Sequence, residues 1–170
     1  MSMQDDAGSI EIIEFLLCGN RYGISTGLIK EILAYQSVTP VPNAHPSVEG
    51  IFMPRDKMIT AIDLANCLQI GTKQQDGYFV VTQVGDIEAA FHIDSIIGIH
   101  RIELEEIKPI GFSAPENGYT DGAVKINGGL VILLNFENIV NEVAPVDDMM
   151  QEDDEIADYE DAEYENVEEE

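Results

Sequence analysis

The residues best able to do chemistry in this chain are three histidines, two cysteines and one short cationic run. His45, His92 and His100 are scattered, with no HxH or HExxH spacing, so they form no metal-binding pattern. His92 falls mid-strand in "AAFHID", where a histidine satisfied by its structural neighbours is the expected arrangement. Cys18 and Cys67 have neither the paired spacing of a metal site nor a disulfide framework, and read as reduced thiols in a core. There is no GxSxG, no P-loop and no GxGxxG ahead of a helix. "PENGYTDG" has glycines but lacks the lysine or following helix that phosphate binding uses. Carboxylates abound, yet a pair set for acid–base work needs a shielded pocket to separate its pKa values, and the sequence marks none. These observations point away from an enzyme and imply no cofactor. What remains is Pro54-Arg55-Asp56-Lys57, which places two of the chain's eight basic residues inside the otherwise apolar "GIFMPRDKMITAIDL". An arginine there suits the orientation of a partner through charge-assisted hydrogen bonds.

The surrounding elements must position that run. "IEIIEFLLCGNRYGIS" reads as a hairpin turning at Gly19-Asn20 with type II′ chemistry. "TGLIKEILAYQ" carries Leu28, Ile29, Ile32 and Leu33 at helical spacing, which predicts a short helix. "SVTPVPNAHPS" is a proline-stiffened connector. A second hairpin turns at Gly85-Asp86. Then comes a proline-containing loop around 108–118, and "YTDGAVKINGGLVILLNFENIVNEV" gives a third hairpin with a helix after it.

A repeat organises these pieces. Residues 50–68, "GIFMPRDKMITAIDLANCL", lie over 122–140, "GAVKINGGLVILLNFENIV", without a gap. Gly50 falls on Gly122. Arg55-Asp56 falls on Asn127-Gly128, a strong type I′ turn signal. Asp63 falls on Asn135, both good N-cap residues before a short apolar helix. The expected fold is mainly β: two small five-stranded antiparallel barrels with short helices, over about 10–75 and 76–143, packed together and sharing apolar surface. A flexible arm is expected over 1–9.

Composition narrows the partners. The formal charge is −25, and residues 147–170 hold fourteen Asp or Glu with no Lys or Arg, leaving a net −11 on the rest. Clustered cations are what nucleic acid and anionic membranes need, so neither is expected as a partner. No apolar run is long enough for a membrane helix, and "MSMQDDAGS" is acidic where a secretory signal is basic. The acidic tail over 144–170 is too charged and too poor in aliphatic residues to build a core, and disorder is expected there.

With hairpins and repeat in place, the chain resembles the CheW-like domain of bacterial chemotaxis. The resemblance runs through "EFLLCGNRYGI", "LIKEI", "VTPVPNAHPSVEGIFMPRDKMITAIDL", "FHIDSIIGIHRI" and "TDGAVKINGGLVILLNFENIV", over about 11–143. Through "HPSVEGIFMPRD" it resembles in particular the CheW-like module of CheV. CheV chains continue into a receiver domain, whereas this sequence runs from Val143 into the acidic tail. It thus reads as a stand-alone coupling protein or a CheV without its receiver.

The resemblance implies SH3-like barrels and a non-enzymatic, cytoplasmic scaffold. That scaffold joins the tips of methyl-accepting chemoreceptors to the regulatory domain of the histidine kinase CheA. It places Ile29 and Glu31 at receptor-contact positions, and Ala90 and Ile99 at second-barrel positions linked to receptor or kinase coupling. The family's "GVxNLRG" corresponds to "GIFMPRD": Gly50 and Arg55 match, while Met53, Pro54 and Asp56 depart, as does Thr60 in place of a proline. Asp56 is the departure expected to alter which receptors fit. Without the resemblance, Gly50 serves close strand packing, Ile29 is core, Asp63 is a helix cap and Arg55 is a surface charge. The other functional reading is a regulatory scaffold or kinase-modulating module of another two-component pathway, acting partly through the acidic tail.

Overall fold

The computed structural model describes residues 8–72, 74–111 and 118–143. Of the expected arm over 1–9 it describes only Gly8 and Ser9, and Ser9 already opens the first strand; the expected tail over 144–170 lies outside the described residues. In chain order the strands are β1 (Ser9–Leu17), β2 (Asn20–Ser25), β3 (Ile29–Ala34), β4 (Val48–Phe52) and β5 (Ile59–Ile62). After α1 (Leu64–Leu68) come β6 (Tyr78–Val84), β7 (Ile87–Ile93), β8 (Ser95–Glu103), β9 (Thr120–Ile126) and β10 (Gly129–Leu134), then α2 (Phe136–Val143).

All three hairpins form, and two of them turn where the sequence puts them. Val84 pairs Ile87 around Gly85-Asp86, and Ile126 pairs Gly129 around Asn127-Gly128. The first turn sits one residue earlier than expected. Leu17 pairs Asn20, and the central residues Cys18 and Gly19 both take positive φ, 53° and 82°, as a type I′ turn requires. That register sets Phe15 opposite Tyr22, where the expected Gly19-Asn20 turn would set it opposite Ile24; the two registers differ by an even step and keep the same side chains on the buried face.

The strands make two five-stranded sheets, ordered β8-β1-β2-β10-β9 and β3-β6-β7-β5-β4. The expected division at 75/76 does not follow them, because each sheet draws on both parts of the chain. The N-terminal hairpin of each repeat has been exchanged: β1–β2 joins β8, β9 and β10, while β6–β7 joins β3, β4 and β5. Nor are the sheets wholly antiparallel. β10 runs parallel to β2 and β5 parallel to β7. These pairs join strands that no hairpin connects, so local turn chemistry says nothing about them.

The repeat itself holds residue for residue. Gly50 pairs Ala61 and Phe52 pairs Ile59, as Gly122 pairs Leu133 and Val124 pairs Val131. Each copy also closes its sheet in the same way. Thr39, downstream of β3, bridges Ile51 on the far edge strand, and Lys108, downstream of β8, bridges Ala123. The sheets thus curl toward barrels without long unpaired edges.

The helix expected over "LIKEI" is a strand. A 3-10 turn at Thr26–Leu28, capped by the Ser25 side chain, leads into β3, which pairs β6. The apolar residues of so short a window satisfy both periods, and pairing to a buried neighbour strand decides for β.

Three apolar clusters result. One lies between the sheets, with Phe15, Leu17, Val80, Phe91 and Phe136 at its centre, and the other two lie inside the separate sheets. Strands such as β7 therefore bury both faces: Ala89, Phe91 and Ile93 face the shared core while Ala90 faces the core of its own sheet. Asp63 and Asn135 cap the two α-helices, accepting from the Asn66 N–H at 3.1 Å and the Asn138 N–H at 2.9 Å. Asp63→Ala is expected to lower stability by about 1 kcal/mol in urea denaturation, and Asp63→Ser by much less.

Candidate partner-binding surface

The two copies of the repeat differ most at their hairpin ends. In the second, the β9–β10 ladder runs down to Ile126 and Gly129. In the first it stops at Phe52 and Ile59, so residues 53–58 leave the ladder as an open loop of equal length. Pro54 stands in the place of Ile126 and has no N–H to pair. Arg55-Asp56 stands in the place of Asn127-Gly128; Arg55 lacks the left-handed tolerance of asparagine, and neither residue takes a positive φ.

Side-chain charge holds this loop instead. Arg55 donates through Nη2 to Glu31 Oε2 on β3. Lys57 Nζ lies 3.1 Å from Glu88 Oε2 on β7, and Lys30 donates to the same oxygen. The Glu88 side chain is only 7% exposed, whereas Arg55 is 64% and Lys57 67% exposed. Hydrogen bonds from Lys30 and then Lys57 keep the Glu88 carboxyl below the usual carboxylate range, so it stays ionised at neutral pH. Met53 and Met58, at the two ends of the loop, are both more than half exposed. The result is a cationic tip flanked by flexible apolar side chains, a surface able to take an apolar segment that carries an acid.

The sites expected from the sequence separate into four groups. Glu31 and Arg55 are brought together, with Asp56 exposed beside them. Ile99, 61% exposed, lies on the edge strand β8 of the other sheet. Ile29 is half-buried against the core between the sheets. Gly50 and Ala90 cannot touch a partner. Ala90 is wholly buried, opposite Ala61 on β5 and Val81 on β6, and faces the core of its own sheet. Gly50 is buried, and a Cβ there would lie 2.6 Å from the Thr39 carbonyl oxygen. Gly122 is in the same position against Lys108 O, at 2.7 Å. Both glycines allow the bridge that closes their sheet, which is the close-packing role read from sequence.

Lys57 belongs to the cationic run read from the sequence, whereas Lys30 and Glu88 carry no sequence sign: Lys30 lies on another strand and Glu88 in a different hairpin. A cavity of about 350 Å³, lined among others by Ile12, Leu28, Leu104, Ile107 and Phe136, contains no residue of the 53–58 loop.

Two further charged groups are internal. His92 is buried, with Nδ1 3.1 Å from Glu49 Oε1 and Nε2 2.6 Å from the Asp76 carbonyl. Glu14 is fully buried and accepts from Arg21 and from His100 Nε2 at 2.7 Å. Cys18 and Cys67 are free thiols that burial pushes above their ordinary pKa. Among the described residues no group of three or more His, Cys, Asp or Glu is placed to hold a metal.

Comparison with known proteins agrees with this architecture. The family model described as CheW-like domain matches residues 11–144. Chemotaxis protein CheW of Thermotoga maritima is 25% identical, with 84% of this chain and 95% of that protein covered. Chemotaxis protein CheV3 of Helicobacter pylori is 24% identical over 79% of this chain, which spans about half of that protein (48%). The crystal structure of the scaffolding protein TtCheW from Thermoanaerobacter tengcongensis superposes with a TM-score of 0.71 at 21% identity, covering 82% of this chain and 92% of that one, and so shares its fold. With the fold, the internal repeat and the matched span in agreement, the chain belongs to the CheW-like domain family.

Proposed function

We propose that this protein couples the cytoplasmic tips of methyl-accepting chemoreceptors to the regulatory domain of the kinase CheA. As a member of its family it is a chemotaxis adaptor and not an enzyme. The observation that carries the finer reading is the Arg55–Glu31 pair on an open loop between exposed Met53 and Met58. Apolar contact with the methionines supplies affinity for a helical receptor tip, and Arg55 orients it by exchanging its partner Glu31 for a receptor acid. Asp56 lies beside that contact and sets which receptor tips fit. Exposed Ile99, on an edge strand of the other sheet, leaves a separate surface for the kinase domain. The role places the protein in the cytoplasm; among the described residues no helix is long and apolar enough to cross a membrane.

Titration of a receptor-tip fragment against Arg55→Ala tests the reading. The variant is expected to fold like the wild type, since the arginine it removes is exposed, and to bind the tip about tenfold more weakly. Unchanged affinity, or loss of fold, removes Arg55 from the partner face.

A further inference from the structure

We propose that Glu88 is the positioning residue of the 53–58 loop: by clasping Lys57 from the loop and Lys30 from β3 it holds that loop in its open form and so sets where Arg55 meets a partner. The inference rests on the receptor-facing reading above.

Loop 53–58 has given up the ladder bonds that its copy keeps, so some other interaction must order it against its conformational entropy. The Arg55–Glu31 pair is exposed at Arg55 and half-buried at Glu31, and contributes little by itself. Glu88 differs. It sits on β7, the middle strand of its sheet, with its carboxylate shielded from water and two ammonium groups on one oxygen. A shielded carboxylate with two charge-assisted bonds holds its partners more firmly than an exposed pair does.

The geometry on β3 supports this role. Successive residues of a regular strand point to opposite faces, so Lys30 and Glu31 ought to diverge. The register with β6 shifts between Ile29 and Glu31, leaving Lys30 as the extra residue of a bulge. A bulge re-aims a side chain, and here it lets neighbouring residues of β3 both reach groups tied to the one loop. Lys30 binds Glu88, and Glu31 binds Arg55.

The other sheet gives an independent comparison. Gly23 opposite Leu133 and Ala90 opposite Ala61 align the two parallel pairs, which sets Arg21 in the position of Glu88. Arg21 also reaches its own hairpin end: its Nη2 donates to the Ile126 carbonyl at 2.8 Å, and its guanidinium lies against Gly129, the counterpart of Lys57. The same position thus braces the hairpin tip in both copies. With an arginine it braces a tight turn through a backbone carbonyl; with a glutamate it braces an open loop through lysines.

Glu88→Gln in the full chain tests the inference, read by amide hydrogen exchange and by titration of the receptor-tip fragment. Exchange at residues 53 and 55–58 is expected to quicken about tenfold while the sheet amides stay protected, with receptor-tip affinity falling alongside. The triple variant Lys30→Glu, Lys57→Glu, Glu88→Lys restores the attractions with reversed sign and is expected to return the loop to wild-type exchange, a rescue that loss of packing at position 88 would not show. Loop exchange unchanged in Glu88→Gln, or not restored in the triple variant, overturns the clasp. Quickened exchange with full affinity leaves the clasp standing and overturns the assignment of this loop as the receptor face.

Discussion

Gly50→Ala will destabilise the protein by about 2–3 kcal/mol, measured as a fall in the urea midpoint with unchanged slope. The added Cβ would lie 2.6 Å from the Thr39 carbonyl oxygen and 2.9 Å from Val38 Cγ2. That oxygen cannot turn aside freely. It accepts from the Ile51 N–H at 2.8 Å, and the Thr39 N–H returns a bond to the Ile51 carbonyl, also at 2.8 Å. Either the bridge opens or β4 moves away from it, and in both cases the sheet loses its closure. Gly122→Ala is expected to cost a similar amount, because its Cβ would meet Lys108 O at 2.7 Å, within the equivalent bridge. Gly27→Ala is the control: its nearest contact would be an ordinary 3.5 Å. A loss below about 0.5 kcal/mol for Gly50→Ala, the range of a neutral surface change, would show the bridge to be dispensable. The large loss would mean that weakened partner binding in any Gly50 variant reports the fold, not a contact.

His92→Ala is expected to cost about 3–5 kcal/mol, the range for breaking a buried ion pair by removing one partner. Both ring nitrogens face acceptors, Glu49 and the Asp76 carbonyl, an arrangement that only the doubly protonated ring satisfies. Burial opposes that charge. The hydrogen bond to Glu49, then that to Asp76, and the negative charges of Glu49 and Asp63 outweigh it, so the His92 pKa is raised. Tyr35 stacks on the ring at 4.7 Å, and its phenol is pushed up by burial and by the Glu49 carboxylate. Without His92, Glu49 keeps a 5% exposed carboxylate whose Oε2 has no hydrogen-bond partner among the described residues.

The sign of the pH dependence follows. A histidine whose folded pKa lies above its unfolded value of about 6.5 contributes its full stability below that value, and the contribution is lost as pH rises through the folded pKa. Wild-type stability should therefore decline with pH through that window, and the His92→Gln/Glu49→Gln double variant should lack this component. The double should also cost less than the two single changes added together. Additive losses with an unchanged pH profile would show that the two residues do not act as a pair.

How much of this was legible beforehand can be judged at particular residues. The two helix caps, the Asn127-Gly128 turn and the gapless repeat were readable because each depends on chemistry within a few residues. The repeat carried further than its low identity suggests: it predicted the strand register, the helix that follows and the paired glycines. Three local readings failed. Over "LIKEI" a short apolar pattern fitted both helix and strand, and pairing with β6 decided it. Ala90 was assigned to a surface by its alignment, but a strand buried on both faces has no surface to offer. The Gly19-Asn20 turn is one residue late, since Leu17 pairs Asn20 and Cys18 takes the positive φ beside Gly19.

Periodicity, turn residues and caps act over short stretches of chain, and through them the family, the β class, the repeat and the placing of Arg55 at a hairpin end are all written in the order of residues. Tertiary structure alone decided which hairpin completes which sheet. The two N-terminal hairpins carry the same alternation and offer the same edge, so no local pattern distinguishes exchange from self-completion; the parallel pairs of β2 with β10 and β7 with β5 make that choice. The exchange in turn brings Glu88 from the second half of the chain beneath Lys30 and Lys57 from the first. A contact between residues so far apart in sequence exists only once the sheets have formed, and for that reason the charges around Arg55 could be read one by one but not as a set.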